Sequence, residues 1–400
     1  MRSFVNQHVQ DLPPSGIRKF FDLVAQTKGI ISLGVGEPDF TTPWHVREAA
    51  IYSLERGRTT YTSNWGLLEL REAIARFLAR WQGLAYDPTS EVLVTVGVAE
   101  AIDIALRAVV EPGDEVLVPE PCFVSYSPCA ELAGGRTVPV PLSAADEFKL
   151  TPERLRAYIT PRSKVLLMGF PNNPTGAVMD RSDLKAIAAL AIEHDLLVIS
   201  DEIYGEMTYG GEHVSIATLP GMRERTVLLN GFSKAYAMTG WRIGYACGPA
   251  QVIAAMMKIH QYTIMCAPIT GQVAALEALR HGAPERDKMI AAYDHRRKLM
   301  LSGLRNLGLP CFEPRGAFYI FPSIEPTGLT DEAFAMHLLE EERVAVVPGS
   351  AFGESGRGHV RCSYAASTEN LTEALKRIGR FVARHATERV YSANSSSGPV

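Results

Sequence analysis

Between Glu91 and Gly248 the chain repeats one alternation: a short apolar run (Thr95 the one polar exception), a turn, then apolar residues at helical spacing. The runs are Val92–Val96, Val116–Val118, Val165–Met168, Leu196–Ile199 and Val227–Leu229. A strand with no polar positions is buried on both faces. That confines it to the interior of a sheet carrying helices on either side. Ile102, Ala105, Leu106 and Val109 mark the apolar side of one such helix, and Leu184, Ile187, Ala188 and Ala191 that of another. The expected fold is therefore α/β, with a mostly parallel sheet sandwiched by helices. Crossovers in such a sheet are right-handed, and ligands gather at the carboxyl ends of its strands.

Outside that stretch the texture changes. The first dozen residues read as an irregular arm, and Ile17, Phe20, Phe21 and Val24 fall at helical spacing. Ile30–Phe40 reads as a short strand entering a Gly/Pro turn, followed by helices over His45–Arg56 and Gly66–Trp81. Past Pro284 a charged helix, Glu285–Leu304, leads to short strands around Phe318–Phe321 and Val344–Val347 and a last helix, Leu371–Arg384. Four hundred residues suit two domains. The expected division is an arm and part of the small domain over 1–45, a large domain over 46–284, a small α+β domain over 285–390, and a tail over 391–400. The low-complexity end of that tail, SANSSSGPV, is expected to be disordered.

A hydrophobic share of 46% with 21% charged residues is that of an ordinary globular chain, and a formal charge of −4 leaves no footprint for nucleic acid or an anionic membrane. The start has no apolar signal segment, and no apolar run approaches membrane-spanning length. The six cysteines are scattered without a C-x-x-C pair, so reduced core residues are expected rather than disulfides or a metal site. Together these features predict a cytoplasmic protein with neither nucleic acid nor membrane as partner.

Each apolar run ends on residues able to bind a ligand. Asn230–Gly248, NGFSKAYAMTGWRIGYACG, presents Ser233 and Lys234 in a turn and then Arg242, among four glycines. A desolvated lysine is a reactive amine, and arginine grips oxyanions in a fork. A solvated surface pair is the alternative. Gly97-Val98-Ala99 starts a helix, whose free N–H groups favour an anion, although a plain strand–helix turn explains the same residues. Phe123 in PEPCFVSY is either a stacking platform or a core ring. Asn173 in FPNNPTG is fixed between prolines, where its amide can be aimed. Asp201 and Tyr204 in ISDEIYG leave an apolar strand, where a carboxylate has lost hydration and needs a partner; a capping role is the other reading.

The order of these segments, from about Ile17 to Val382, resembles the class I pyridoxal-phosphate aminotransferases, in their prokaryotic aspartate and aromatic-amino-acid branch. The resemblance implies a fold-type I transferase in which Lys234 forms the Schiff base with pyridoxal 5′-phosphate and Arg242 holds the phosphate. Backbone N–H groups of Val98 and Ala99 join that phosphate site. Phe123 stacks on the ring, Asp201 pairs with its nitrogen, and Asn173 and Tyr204 reach its 3′-oxygen. Arg361, in HVRCSYA, takes the substrate α-carboxylate, with Asn173 and the backbone of Gly36, in GVGEPDF, beside it. Tyr61, in TYTSNWG, reaches the cofactor phosphate of the neighbouring subunit, which implies a homodimer with shared active sites.

The implied reaction is ping-pong transfer of an amino group between an aromatic or aspartate-like amino acid and a 2-oxo acid such as 2-oxoglutarate. A β-eliminating lyase on the same fold is the alternative. Two departures stand out. Gly231 replaces the phosphate-binding serine that many members carry three residues before the lysine, and Val98 and Ala99 carry no hydroxyl. Lys258–Pro268 also lacks the arginine that the dicarboxylate-specific branch has there, which leaves distal-carboxylate recognition unassigned. The nearest unassigned cations are Arg18 and Lys19, beside Ser15, Gly16, Ile17 and Phe20.

Overall fold

The five apolar runs all become strands of one seven-stranded sheet. The computed structural model describes residues 4–12 and 29–385. The helical spacing at Ile17–Val24, the segment Ser15–Phe20 and the tail from Ser392 lie outside the described residues. In chain order the strands are β1 (Ile31–Ser32), β2 (Val92–Thr95), β3 (Glu115–Glu120), β4 (Arg136–Pro141), β5 (Ser163–Gly169), β6 (Leu197–Asp201), β7 (Thr226–Gly231), β8 (Gly244–Cys247), β9 (Tyr319–Ile320), β10 (Val344–Ala345), β11 (Val347–Pro348) and β12 (Val360–Ser363).

The large sheet runs β2-β8-β7-β6-β5-β3-β4. From β7 to β4 all neighbours are parallel, and β8 lies antiparallel to both β2 and β7. Strands β2 and β7 are buried along their whole length, as runs without polar alternation require. Each fully buried valine or leucine there contributes about 1.5–3 kcal/mol. Helix Arg181–Glu193 starts with a capping box between Asp180 and Asp183 and buries Leu184, Ile187, Ala188 and Ala191, the face that its spacing predicts.

Two strands of this sheet fall outside the expected set. β4, RTVPVP, is an edge strand whose prolines and partly exposed positions give it no apolar run. β8 is a short return strand that brings Gly244 opposite Gly231.

Two smaller sheets hold the C-terminal half against the N-terminal segment. The predicted strand Val344–Val347 is split. β10 pairs in parallel with β1, while β11 pairs with β12 at Val347↔Arg361. β12 also pairs with β9, so Tyr319 stands opposite Ser363. The expected strand over Ile30–Phe40 shrinks to two residues, because the chain leaves β10 after Leu33, whose carbonyl accepts the Ser363 N–H. The chain from Gly34 to Phe40 thereby crosses the carboxyl ends of the parallel strands.

Candidate active site

A cavity of about 370 Å³ opens at those strand ends. Among the sequence candidates, Gly36, Val98, Ala99, Phe123, Asn173, Asp201, Tyr204, Lys234, Arg242 and Arg361 line it. Tyr61 does not, and stands 79% exposed on the surface.

Lys234 follows β7, and its Nζ donates to the Gly36 carbonyl at 2.5 Å. Burial, with Arg361 and Arg242 nearby, brings its amine down to about 8.

Asp201 ends β6 and is 5% exposed. Its Oδ2 accepts the Tyr126 hydroxyl at 2.8 Å and its Oδ1 the Ile203 N–H at 3.1 Å. Burial raises its carboxyl to about 6, and these two bonds limit the rise. No cation forms an ion pair with it among the described residues. Glu202 faces the other side of the sheet, where its carboxylate accepts from Ser200 and Ser215 and meets His213.

At the start of helix Gly97–Val109 the N-cap, Val96, offers no side-chain acceptor. Gly97 has φ +73°, and a Cβ there would lie 2.6 Å from Arg242 Nη2, so the guanidinium rests directly against the turn. Arg242 itself holds φ 57°, and its Nη1 donates to the Thr239 carbonyl at 3.0 Å. Free N–H groups at Val98 and Ala99 beside a guanidinium make an anion cradle.

The departure at Gly231 has a steric cause. A Cβ at Gly231 would lie 2.9 Å from the Gly244 Cα and 3.0 Å from the Ile243 carbonyl oxygen, both backbone atoms. Gly231→Ser is therefore expected to destabilise the protein by roughly 1–3 kcal/mol, as overpacking does. A thermal melt checks this, and an unchanged midpoint would refute the steric account.

Arg361 lies on β12 between the rings of Tyr319 and Phe352, its guanidinium carbon 4.5 and 4.8 Å from their centroids. Nη1 donates to Asn173 Oδ1 at 2.9 Å and Nη2 to the Gly34 carbonyl at 2.6 Å. Its Nε has no protein partner, and the side chain forms no salt bridge among the described residues, although the residue is only 3% exposed. A buried cation without a counter-charge calls for an anionic ligand.

Two tyrosines here carry no sequence signal of their own. Tyr126 stands one helical turn after Phe123, the rings edge to face at 5.7 Å, and holds Asp201. Tyr319 comes from the small sheet, and its hydroxyl meets that of Tyr204 at 2.8 Å. Asn172 differs from its neighbour Asn173: its amide shapes the loop by accepting from Thr175 and donating to Gly169.

The fold and the strand-end site define a fold-type I aminotransferase architecture. A solved aromatic aminotransferase from Pyrococcus horikoshii OT3 matches with a TM-score of 0.88 at 47% identity, over 92% of this chain and 99% of that one. The chain belongs to the class I and II aminotransferases, whose family model matches residues 28–378. A putative aminotransferase of Bacillus subtilis (strain 168), YugH, is 54% identical over 96% of this chain and 99% of its own length. An aspartate aminotransferase of Pyrococcus abyssi (strain GE5 / Orsay) is 48% identical over 91% of this chain and 95% of its own length. The protein is an aminotransferase, and β-elimination is not favoured.

Proposed function

We propose that the enzyme uses pyridoxal 5′-phosphate in this cavity to exchange amino groups between aromatic or aspartate-like amino acids and 2-oxoglutarate. One observation carries the reading. Asp201, a buried carboxylate, and Arg361, a buried guanidinium, have no ion-pair partner among the described residues, and both face one cavity beside the amine of Lys234. The residues fit the cofactor chemically. Arg242 and the N–H groups of Val98 and Ala99 suit its phosphate, Phe123 its ring face, Asn173 and Tyr204 its 3′-oxygen, and Asp201 its ring nitrogen. When bound, pyridoxal phosphate supplies an electron-withdrawing ring that stabilises negative charge at the substrate Cα.

Lys234 would hold the cofactor through its side-chain amine. With substrate bound, the free amine of Lys234 would carry the Cα proton as base and then as acid. An amine near 8 suits both duties at neutral pH. Asp201 would keep the ring nitrogen protonated, and Tyr126 and Ile203 fix its carboxylate for that role. Arg361 grips the α-carboxylate, its plane set by the Tyr319 and Phe352 rings, with Asn173 and the Gly36 backbone alongside. Arg361→Lys keeps the charge but loses the fork. KM is expected to rise about 10- to 100-fold for every amino acid, on the scale of one charge-assisted hydrogen bond. Steady-state kinetics check this, and an effect confined to one substrate would move Arg361 to the side-chain end of the pocket.

The active unit is a homodimer in which the partner's Tyr61 completes the phosphate site. The Tyr61 segment is tethered by Asn64 Nδ2 to the Met265 carbonyl at 2.7 Å, beside the exposed side chains of Ile264 and Met265. The six cysteines are all free, which suits a reducing cytoplasm. Residues 46–284 form the cofactor-binding domain, and 285–390 with part of 1–45 the small domain. Similarity to proteins named for aspartate and for aromatic amino acids supports broad donor use. A panel of amino donors and oxo acids tests it. Aspartate exceeding phenylalanine and tyrosine by about 10³ in kcat/KM, roughly 4 kcal/mol, would refute broad specificity.

A further inference from the structure

We infer that Glu100 and His260 are positioning residues that hold the anion-binding turn in shape, an inference resting on the pyridoxal-phosphate reading above. The turn needs such support. Val96 gives the helix no side-chain cap, and Val98 and Ala99 bring no hydroxyl, so only the aim of backbone N–H groups is available to an anion from this element. Glu100, in the first helical turn, reaches back so that its Oε2 accepts the Val96 N–H at 2.5 Å. This resembles the helix-side half of a capping box, made from one position further into the helix and without a partner at the N-cap. It occupies the N–H that precedes the turn and leaves those of Val98 and Ala99 to the cavity they line. Among the described residues, the only other side-chain bond to the turn runs from Thr95 Oγ1 to the Gly97 carbonyl at 3.0 Å.

The second carboxylate oxygen of Glu100 is fixed by His260, whose Nδ1 lies 2.6 Å from Oε1. His260 projects from helix Ala250–Thr263 and is fully buried, while its Nε2 has no hydrogen-bond partner among the described residues. Its one side-chain bond is thus the one that sets the Glu100 rotamer. The backbone beneath it is anchored too, because the His260 carbonyl accepts from Ile264 at 2.9 Å and Met265 at 3.0 Å. No lysine or arginine pairs with Glu100 among the described residues. Its negative charge alone would oppose a bound phosphate, whereas its hydrogen bond to Val96 would favour one by aiming the turn. The two effects have opposite signs, which makes the role testable.

The test compares pyridoxal phosphate with pyridoxal, which has the ring and aldehyde but no phosphate, by absorbance titration of the full-length protein stripped of ligand. Wild type should prefer the phosphate form. Glu100→Ala should reduce that preference at least about 10-fold, the scale of one hydrogen bond to a charged group, by weakening pyridoxal phosphate while leaving pyridoxal unchanged. Glu100→Gln, which keeps an acceptor for Val96, should retain most of it. His260→Ala, which leaves the Val96 bond but frees the carboxylate, should fall between, and it decides the matter alone should Glu100→Ala fail to fold. A general structural role would weaken both ligands equally, and that result overturns the inference. So does an unchanged or strengthened preference in both variants. A wild type that binds both ligands alike overturns the pyridoxal-phosphate reading itself.

Discussion

Lys234→Ala is expected to lower kcat by at least about 10⁴-fold, because in the proposed mechanism one side chain supplies both the covalent attachment and the proton transfer, and positioned acid–base catalysis alone contributes up to about that factor. The rest of the cavity should survive. Among the described residues Lys234 Nζ donates to the Gly36 carbonyl alone, so the bonds that hold Arg242, Asp201 and Arg361 do not run through it. The variant should therefore still bind pyridoxal phosphate, reversibly, and lose it on dialysis. Single-turnover kinetics and dialysis followed by absorbance check both parts. Activity within tenfold of wild type would end the account.

Asp201→Asn is expected to separate activity from stability. In the proposed mechanism the ring nitrogen would lose its counter-charge, so kcat should fall on the order of 10³-fold, as when a preorganised electrostatic partner is removed. Stability should move the other way. The folded carboxyl sits at about 6 against an ordinary 3.8, because burial disfavours the charged form. A raised carboxyl contributes stability that is fully present below about 4 and lost as pH rises through about 6, since the folded state holds a proton that the unfolded state has released. Asparagine carries no charge to bury and can still meet Tyr126 and the Ile203 N–H. The ligand-free variant should thus melt at or above wild type at pH 7.5, an advantage that vanishes at pH 4. A variant that is less stable at pH 7.5 and fully active would make Asp201 a structural cap.

Legibility in the sequence followed how local the physical cause was. β2, β3, β5, β6 and β7 could be read because burial on both faces leaves no polar position, and the covering helix Arg181–Glu193 because burial on one face repeats every three to four residues. β4 was hidden because an edge strand tolerates prolines and solvent. β8 was hidden because its four residues sit within the glycine-rich segment that also carries Lys234 and Arg242. The site candidates on the parallel strands were visible for a related reason, since a polar residue at the end of an apolar strand stands out. Tyr319, His260 and Phe352 had no such signal. They meet Tyr204, Glu100 and Arg361 through tertiary packing across 115, 160 and 9 positions of chain, and side chains of these types look like ordinary core. The steric need for glycine at 231 was equally invisible, because the atoms it avoids belong to Ile243 and Gly244 on the neighbouring strand.

The central claim is that Lys234 is the amine that takes pyridoxal phosphate in this cavity. Borohydride reduction of the purified enzyme, followed by proteolysis and peptide mass mapping, tests it most directly. The account predicts a single phosphopyridoxyl label, on Lys234, that is absent when an amino acid substrate is added before reduction. A label on another lysine, or none on a catalytically active protein, would contradict it.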